Sequence, residues 1–449
     1  MTVEQLYEYF QKSKSVSIDS RSVKKGDLFI GLEGANHDGN AFAADAIENG
    51  AKYVIIDNQD YKKKGSRKFL VVENSLETLQ DIAKHHAARL KIPIVGVTGS
   101  NGKTTTTALI AAVLSKKFNT YSTPHNYNNH IGVPLSVLGI NDKHEMAVIE
   151  LAANHQGEIA ALSKIAQPTH GLITNIGRAH MQGFGGKIKN VMHTKGELFD
   201  FIEEVEGHCF VNCDDKFVAK VGYYMQDVST YGTNRWFDTY ARVSSSDPYL
   251  NVRWFPKNEQ VEEEDLETER EVNIEYYDIQ TKLMGKHHVY TILSAIRVGV
   301  HFGVEKADIV AAIEAFEPVN NRSEVLMQGS NTILLDAYNA NPDSMEAALG
   351  VLGSASADVK VAILGDMLEL GKTSGKEHQA IYDKAMDMGL NHIVLVGEEF
   401  KKVANTRKKA VEHFDTAAEA KAWLAEQGLE NAFVLVKGSR SIALEGVVA

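Results

Sequence analysis

Residues 91 to 105 read Lys91-Ile-Pro-Ile-Val-Gly-Val-Thr-Gly-Ser-Asn-Gly-Lys-Thr-Thr105. The first eight residues are typical of a short β-strand, and a long helix is predicted from Thr104 onward. The glycine loop between them has backbone N–H groups that can point, with the helix N-terminus, at a bound anion. The stretch therefore predicts a strand, a phosphate-binding loop and a helix, which together favour an α/β domain that binds a nucleoside triphosphate.

The loop is a variant of the strict phosphate-binding pattern. Five residues separate Gly96 from Gly102, where the pattern has four. Glycines allow the backbone to approach phosphates without Cβ clashes, Lys103 supplies a point charge, and the Thr104 hydroxyl suits Mg²⁺. A glycine turn followed by a chance Gly-Lys-Thr is the alternative. The residues predicted to bind the nucleotide are Gly99, Ser100, Asn101, Gly102, Lys103, Thr104 and Thr105.

Strands alternate with helices along most of the chain, a pattern typical of α/β proteins with mostly parallel sheets. At 449 residues the chain is long enough for about three domains. We predict a small α/β domain at 1–88, a central ATP-binding domain at 89–322 and a doubly wound, Rossmann-like domain at 323–449. The predicted strands are 26–31, 53–56, 69–72, 91–98, 146–151, 170–174, 332–336, 360–365, 392–397 and 433–437. The predicted helices include 41–50, 75–90 with Ser75 as N-cap, 157–165, 374–388 and 417–427.

Charge and composition argue against several classes of protein. The net charge is −12, whereas proteins that bind nucleic acid usually carry a basic footprint. Met1 to Tyr9 is not a basic-then-apolar leader, and the apolar run 108–114 is too short to span a bilayer. Cys209 and Cys213 fit small core residues in a reducing compartment better than half a metal site or a disulfide. We expect a cytoplasmic monomer with small-molecule substrates, no nucleic-acid partner and no membrane insertion.

Residues 236 to 280 differ in character from the rest of the chain. They contain the acidic run Val261-Glu-Glu-Glu-Asp-Leu-Glu-Thr-Glu-Arg-Glu271. We predict a β-rich insertion in which this run is a solvated hairpin or loop without chemistry.

Three residues outside the loop suit phosphoryl transfer, which needs metal ligands and cations to offset the repulsion between anions. Glu150 ends a predicted strand at the carboxyl edge, where the sites of open α/β sheets lie; an ordinary strand-end glutamate is the alternative. His180 follows the next strand in the same way, although a lone histidine is as often structural. Lys195 lies in His193-Thr-Lys-Gly-Glu197, where a solvated helix lysine is the alternative.

Four motifs together resemble those of the Mur ligases, the amide-forming enzymes of peptidoglycan precursor assembly: the phosphate loop, the strand ending at Glu150, Asn175-Ile-Gly-Arg-Ala-His180 and Lys195-Gly-Glu197. Further segments extend the resemblance, in order, over essentially the whole chain. They are Asp19-Ser-Arg21, Gly26-Asp-Leu-Phe-Ile-Gly31, His37-Asp-Gly39, Asn126-Tyr-Asn-Asn129, Ile131-Gly-Val-Pro134, Asp336-Ala-Tyr-Asn-Ala-Asn-Pro-Asp-Ser344, Leu364-Gly-Asp-Met-Leu-Glu-Leu-Gly371 and Val436-Lys-Gly-Ser-Arg440.

The resemblance implies a particular reaction. The segments at 336–344, 364–371 and 436–440 are similar to the family member that joins D-alanyl-D-alanine to UDP-N-acetylmuramoyl-tripeptide. In that reaction ATP and Mg²⁺ activate the tripeptide carboxylate as an acyl phosphate, which the dipeptide amine then attacks. The resemblance therefore implies an ATP-dependent ligase of cytoplasmic cell-wall precursor synthesis.

The resemblance also implies roles for individual residues. Lys103, His180 and Lys195 would be catalytic, and Thr104, Glu150, His180 and Lys195 would serve the metal sites. Lys195 matches the family lysine that CO₂ carbamylates, which turns a cation into an anionic ligand. The residues implied near the nucleotide are Asn175, His288, Arg322 and Asp336. The residues implied to bind substrates are Ser20, Arg21, His37 and Asp38 for the uridine end, Asp366, Met367 and Glu369 for the peptides, and also Asn126, Asn128, Asn129, Asn339 and Asn341.

The sequence departs from the family pattern at a few positions. The family usually has Gly-x-His-Asn and a second Asn three residues on, near the adenine, where this chain has Gly285-Lys-His-His288 and Thr291. Ala152 replaces a common glycine. We expect weaker or different recognition of the base with the chemistry intact, because the phosphate and metal residues remain.

Three alternatives stay open at this point. The first is another Mur ligase that adds a single amino acid, against which segments 336–344 and 365–371 argue. The second is a ligase similar to folylpolyglutamate synthase, against which the uridine-domain motifs argue. The third is a nucleotide-binding module without catalysis, which His288 and Thr291 slightly favour.

Overall fold

The computed structural model describes residues 1–34, 37–256, 275–318, 322–404 and 411–448. Within these residues the strands form three sheets, of four, nine and six strands. One sheet falls in each predicted domain, and the predicted three-domain α/β fold is confirmed. The domain limits at 88 and 322 stay predictions. Among the described helices, none has the length and apolar character needed to cross a membrane.

The first unit is a small parallel sheet with helices packed against it. Its strands are β1 (Val16–Ser17), β2 (Leu28–Ile30), β3 (Tyr53–Ile56) and β4 (Phe69–Val71), each parallel to its neighbour. Its helices are Val3–Gln11, Ala43–Glu48 and Ser75–Ala87. The prediction of Ser75 as N-cap is wrong by one residue. Asn74 has the extended backbone of a cap and its side chain accepts a hydrogen bond from the Glu77 N–H at 3.0 Å.

The central unit is built on a nine-stranded sheet in the order β13-β12-β11-β10-β9-β8-β5-β7-β6. The strands from β6 through β11 are parallel, and β12 is antiparallel to both of its neighbours. Their bounds are β5 Ile94–Thr98, β6 Thr120–Ser122, β7 Met146–Glu150, β8 His170–Ile173, β9 His208–Asn212, β10 Val228–Gly232, β11 Thr239–Ser245, β12 Asn251–Pro256 and β13 Tyr277–Gln280. Strands β11 to β13 confirm the predicted β-rich insertion, while the acidic run 261–271 lies outside the described residues.

Helices cover both faces of this sheet and bury every residue of β5, β7 and β9. One face carries the helices Lys103–Leu114 and Val289–His301, whose apolar side chains form one core with β5 and β10. The other face carries Glu158–Ala166 and Ile188–Glu204, which share a core with the first unit. The remaining helices are Gly132–Leu138, Lys216–Gly222 and Lys306–Ala315. Every residue of β5 is buried, so the loop that follows it starts from a rigid strand.

The last unit is a six-stranded sheet in the order β14-β15-β19-β16-β17-β18, parallel except for the edge strand β14. Apolar clusters lie on both of its faces, as predicted for a doubly wound domain. The strands are β14 Glu324–Gln328, β15 Asn331–Asp336, β16 Val359–Gly365, β17 His392–Val396, β18 Val411–Phe414 and β19 Ala432–Lys437. The helices are Pro342–Ser354, Ser374–Asp387, Glu398–Ala404 and Ala417–Glu426.

Candidate active site

A cleft of about 830 Å³ lies between the central and the last units. The carboxyl ends of β5, β7 and β8 form one wall, and the ends of β15 and β19 contribute to the other. This is the edge where open α/β sheets bind ligands. The residues predicted from the sequence that line the cleft are Ser100, Asn101, Gly102, Lys103, Thr104, Thr105, Asn126, Asn128, Asn129, Glu150, Asn175, His180, His288, Arg322, Asp336, Asn339 and Asn341.

The phosphate loop is held in shape by the segment that follows β8. Gly99 has φ +144°, and a Cβ at this position would overlap the Thr174 hydroxyl. The Asn101 N–H donates to Asn175 Oδ1 at 3.0 Å, and Asn175 Nδ2 donates to the Asn101 carbonyl at 2.9 Å. Gly102 has φ +77° and begins the helix as its N-cap. The loop is therefore preorganised at a helix N-terminus, where anions bind.

Lys103 and Thr104 are placed as phosphate and metal ligands would be. Lys103 Nζ donates to the carbonyls of Gly99 at 2.9 Å and Ser100 at 3.1 Å, and burial lowers its pKa to about 8, against the raising effect of Glu150. Thr104 Oγ1 is buried and has no hydrogen-bond partner among the residues that the structure describes. A buried hydroxyl without a partner fits an oxygen ligand to Mg²⁺.

Glu150 places a carboxylate at the end of β7, the strand next to the one that leads into the phosphate loop. It ends β7, pairs in register with Val97 of β5 and is 1% exposed. Asn128 Nδ2 donates to its Oε1 at 2.7 Å, which orients the carboxylate. In the described part of the chain there is no cluster of three His, Cys, Asp or Glu side chains arranged as a metal site. Mg²⁺ is commonly held by one or two carboxylates plus substrate phosphates, so Thr104 and Glu150 fit it.

His180 lines the cleft, whereas Lys195 lies behind its wall and contacts the carbonyl of Ala153, which lines it. His180 lines the cleft with φ +52°, and its Nδ1 forms a short hydrogen bond with the Glu369 carboxylate of the last unit. Lys195 is buried on the helix Ile188–Glu204, and its Nζ donates to the Ala153 carbonyl at 3.2 Å. The alternative of a solvated lysine is wrong. Burial first, and the charge of Lys103 second, lower the Lys195 pKa well below its ordinary value.

The last unit brings a buried lysine to the cleft that sequence reasoning did not single out. Lys437 is 1% exposed, and its Nζ donates to Asp336 Oδ2 at 2.6 Å and to the Asn339 carbonyl at 3.0 Å. The motif at 436–440 was the available signal. The Arg322 guanidinium lies 3.9 Å from the centre of the Tyr338 ring. The contacts of Lys437 join the carboxyl end of β19 to that of β15 at the wall of the cleft.

Side chains of the central and last units are joined directly over the phosphate loop. Asn341 Nδ2 donates to Asn101 Oδ1 at 2.7 Å. Arg178 pairs with three carboxylates of the last unit, those of Asp343 at 2.6 Å, Glu346 at 2.5 Å and Glu377 at 3.0 Å. Local sequence patterns did not indicate the role of Arg178. The structure is therefore closed, with the two walls of the cleft in contact.

Three family models match the chain in order: "Mur ligase family, catalytic domain" at residues 12–97, "Mur ligase middle domain" at 97–299, and "Mur ligase, glutamate ligase domain" at 321–440. Proteins named UDP-N-acetylmuramoyl-tripeptide–D-alanyl-D-alanine ligase are similar over most of their length. That of Treponema pallidum is 34% identical over 96% of this chain and 92% of its own. That of Escherichia coli is 31% identical over 97% and 92%.

The chain belongs to the Mur ligase family.

Solved structures agree with this assignment. The MurF structure of Acinetobacter baumannii has a TM-score of 0.85 at 28% identity, over 100% of this chain and 97% of its own. A MurF ligase of Thermotoga maritima, solved in complex with ADP, has a TM-score of 0.82 at 25% identity, over 98% and 97%. The family resemblance drawn from the motifs is thereby confirmed.

Some residues implied to bind substrates lie away from the cleft of this Mur ligase. Ser20, Arg21, His37 and Asp38 belong to the first unit and do not line it. Arg21 instead forms a two-pronged ion pair with Asp19, through contacts of 2.9 and 2.8 Å. A role for these residues with the uridine end of the substrate stays a prediction.

Asp366 and Met367 are buried in the interior of the last unit. The Asp366 carboxylate is 3% exposed and accepts hydrogen bonds from the N–H groups of Glu399 and Phe400, both at 2.9 Å. It thus stabilises the start of the helix Glu398–Ala404. Met367 is buried in an apolar core. Geometry gives no support to the prediction that either side chain touches substrate, whereas Glu369 reaches the cleft through His180.

Proposed function

We propose that this Mur ligase joins D-alanyl-D-alanine to UDP-N-acetylmuramoyl-tripeptide with conversion of ATP to ADP and phosphate, in peptidoglycan precursor synthesis. The names of the full-length relatives support the substrates, and the solved complex of a relative with ADP supports the nucleotide. The observation that carries the proposal is the convergence of Lys103, Thr104, Glu150 and His180 on one cleft. To activate a carboxylate, the site must offset the repulsion between that carboxylate and the γ-phosphate of ATP, and these residues supply the cation and the metal ligands for it.

The central unit would carry out the first step. The phosphate loop holds the triphosphate by its backbone N–H groups and the Lys103 ammonium, which neutralises charge on the transferring phosphoryl group. Mg²⁺, held by Thr104 Oγ1 and Glu150, would supply further neutralisation when bound. A carboxylate oxygen of the tripeptide attacks the γ-phosphorus, the bond to ADP breaks, and an acyl phosphate forms.

The last unit would deliver the second substrate. Its cleft wall carries Asn339, Asn341 and the Asp336–Lys437 pair, and Glu369 contacts His180. The dipeptide amine attacks the acyl carbon, phosphate leaves with its electron pair, and the amine proton passes to the phosphate or to His180. Closure of the last unit over the loop keeps water from the acyl phosphate.

Lys195 would act after modification. Its lowered pKa favours the neutral amine, which is the form that reacts with CO₂, and the resulting carbamate is an anion. Phe184, whose ring centre lies 5.8 Å from Lys195 Nζ, and the Ala153 carbonyl form its surroundings. We propose that this anion would supply a further oxygen ligand for Mg²⁺.

The test is phosphate release measured with each substrate omitted in turn. We expect release only when ATP, the nucleotide-tripeptide and D-alanyl-D-alanine are all present. Release with a single amino acid in place of the dipeptide would indicate another Mur ligase, and release with a folate substrate the synthase-like alternative. No release under any condition would leave a nucleotide-binding module. A cytoplasmic location and a monomer remain part of the proposal, and light scattering during size-exclusion chromatography tests the latter.

A further inference from the structure

The amino ends of the four strands in the first unit carry a concentration of positive charge. Because β1 to β4 run in the same direction, the residues just before each strand lie at one edge of the sheet. These stretches are residues 12–15, 24–27, 50–52 and the loop 62–68, and we call the surface that they form the basic face. Its basic side chains, all of them exposed, are Lys12, Lys14, Lys24, Lys25, Lys52, Lys62, Lys63, Lys64, Arg67 and Lys68.

Backbone hydrogen bonds join neighbouring stretches of the basic face. The Lys14 N–H donates to the Gly26 carbonyl at 3.0 Å, and the Gly26 N–H donates to the Gly50 carbonyl at 2.9 Å. At the other end, the Val54 N–H of β3 donates to the Lys68 carbonyl at 2.9 Å. The four stretches are therefore held side by side, and their charges form one surface.

Acidic residues do little to offset this charge. Asp27 is the only acidic residue within the four stretches. It is 2% exposed, and its carboxylate accepts hydrogen bonds from the Ser15 hydroxyl and the Lys24 N–H, both at 2.7 Å. Lys12 also pairs with Glu8, at 3.3 Å. On a chain whose net charge is −12, the basic face is a local exception that calls for an anionic partner.

The nucleotide substrates are not that partner. The segments predicted for the uridine end, 19–21 and 37–39, follow β1 and β2 and so lie at the carboxyl edge of the same sheet, opposite the basic face. No residue of the basic face lines the cleft between the central and last units. The partner must therefore be met on the outside of the first unit.

The kind of basic side chain indicates the kind of anion. Nine of the ten are lysines, which act as point charges on flexible stems, and one is an arginine, whose planar fork suits phosphate and nucleic-acid recognition. The charges also spread across the ends of four strands, about 14 Å for three strand spacings. Such an arrangement suits diffuse attraction to a flat charged surface.

Aromatic rings at the basic face are not placed to stack on bases, as binding of single-stranded nucleic acid would require. Tyr9 and Tyr53 pack edge to face, with ring centres 4.8 Å apart, against the core of the first unit. Tyr61, just before the loop 62–68, faces Asp38 at the opposite edge of the sheet. These placements favour a lipid surface over a nucleic acid.

We propose that the basic face binds reversibly to the surface of a bilayer that contains anionic phospholipids. Each Lys or Arg near such a surface strengthens binding about fivefold, and the attraction decays within a Debye length. The four stretches have no exposed large apolar side chain, so the protein lies on the bilayer without insertion and electrostatic attraction alone holds it there.

The first measurement is cosedimentation of the full chain with sucrose-loaded vesicles. Vesicles of equal parts phosphatidylglycerol and phosphatidylcholine should bind it in about 0.05 M salt and at least about tenfold more weakly in about 0.5 M, because salt shortens the Debye length. Vesicles of phosphatidylcholine alone should not bind it. Absence of binding to the anionic vesicles, or equal binding to both kinds, would overturn the proposal.

The second measurement uses the loop variant Lys62→Gln/Lys63→Gln/Lys64→Gln, which removes three charges from an exposed loop. Its binding to the anionic vesicles should be about 100-fold weaker than that of the unmodified chain. Lys24→Gln/Lys25→Gln, on a neighbouring stretch, repeats the test should the loop variant fail to fold, with a loss of about 30-fold. Undiminished binding by both variants would contradict the proposal.

Three exposed lysines of the central unit supply a control with the same change in net charge. The control variant is Lys164→Gln/Lys189→Gln/Lys220→Gln. It should bind the anionic vesicles as the unmodified chain does. A loss equal to that of the loop variant would show that net charge, and not the basic face, governs binding.

Other anionic partners are distinguished by parallel measurements at the same salt concentration. Binding of a labelled single-stranded RNA, lost in the loop variant while vesicles are not bound, would overturn the proposal in favour of a nucleic acid. Self-association with the same pattern would overturn it in favour of a second copy of the chain. Vesicle binding is measured without substrates and phosphate release without vesicles, so failure of this proposal and failure of the ligase assignment are separate results.

Discussion

Lys103 and Lys195 are both removed from water near the cleft, but they differ in their hydrogen-bond partners and in how far their pKa values are lowered. Lys103 keeps two backbone carbonyls as partners, at 2.9 and 3.1 Å, whereas Lys195 has one, at 3.2 Å. The positive charge of Lys103 further disfavours a proton on Lys195. Lys103 therefore suits phosphate binding as a cation, and Lys195 suits covalent modification as a neutral amine.

Lys103→Ala removes the only lysine of the phosphate loop. We expect kcat to fall by about 10² to 10³, the effect of losing one preorganised donor to the transition state. The fold should persist, since the side chain lies at the surface of the cleft. Steady-state phosphate release and thermal unfolding check both statements, and a near-normal rate would contradict the assignment.

Lys195→Ala tests the carbamate. If an anion is needed at this position, short carboxylic acids such as acetate should restore part of the lost activity, since they fit the space left by the side chain. Lys189→Ala, on the same helix, serves as a control and should need no such rescue. Absence of rescue at any acid concentration would argue against the carbamate.

The loop, the strand before it and the helix after it were predictable because their signals are local. The predicted strand 91–98 ends with β5 at Thr98 but begins three residues before it, and the predicted helix start at Thr104 is one residue after the observed start at Lys103. The burial of Lys195 was not predictable in this way. Polar residues occur throughout its helix, so the sequence does not mark Lys195 as buried. The amine is buried by packing against the segment that contains Ala153.

A cluster of three histidines lies at the opposite end of the central sheet from the cleft. His170 begins β8, His208 begins β9 and His301 ends the helix Val289–His301, with His170 Nε2 3.2 Å from His301 Nε2. Burial first, and mutual repulsion second, lower the pKa of His170 to about 3 and of His301 to about 4. Asp227 and Arg297 are the charged groups that act on His301 from neighbouring elements.

This cluster should make the fold sensitive to acid. In the unfolded chain His170 and His301 take up protons below about pH 6.5, while their lowered pKa values of about 3 and about 4 keep them neutral in the folded chain, so stability is present above pH 6.5 and is lost as the pH falls. Between pH 7 and 5 we expect a loss of about 1 to 2 kcal/mol from these histidines after allowance for screening. Urea unfolding at both pH values measures it. His301→Phe should reduce the pH dependence and His392→Phe, outside the cluster, should not; an equal dependence in all three proteins would refute the idea.

The closed arrangement of the molecule depends on contacts between residues far apart in the chain. Arg178 of the central unit meets Asp343, Glu346 and Glu377 of the last unit, between 165 and 199 residues away. The backbone of Gly177, beside it, exchanges hydrogen bonds with the Ser100 hydroxyl in the phosphate loop. No local pattern could have predicted this pairing, because it exists only when two separately folded units dock.

Arg178→Ala should loosen the closed state. Three carboxylates would then face each other without the guanidinium, at a cost of about 1 to 2 kcal/mol, because these side chains are partly exposed and solvent screens the network. We expect kcat/KM to fall at least about tenfold and the radius of gyration from small-angle X-ray scattering to rise. Arg253→Ala removes the exposed pair with Asp278 inside the central unit and is the matched control. An unchanged radius and rate in Arg178→Ala would show that closure does not depend on this residue.

The acyl phosphate is tested most directly by following the oxygen atoms of the tripeptide carboxylate. If the carboxylate attacks the triphosphate held by the loop of Lys103, one of its oxygen atoms must leave with the phosphate when the amide forms. With both carboxylate oxygens labelled with oxygen-18, mass spectrometry should find one labelled oxygen in each inorganic phosphate released. Phosphate free of the label, produced together with the joined peptide, would contradict the acyl phosphate and the role assigned to the cleft.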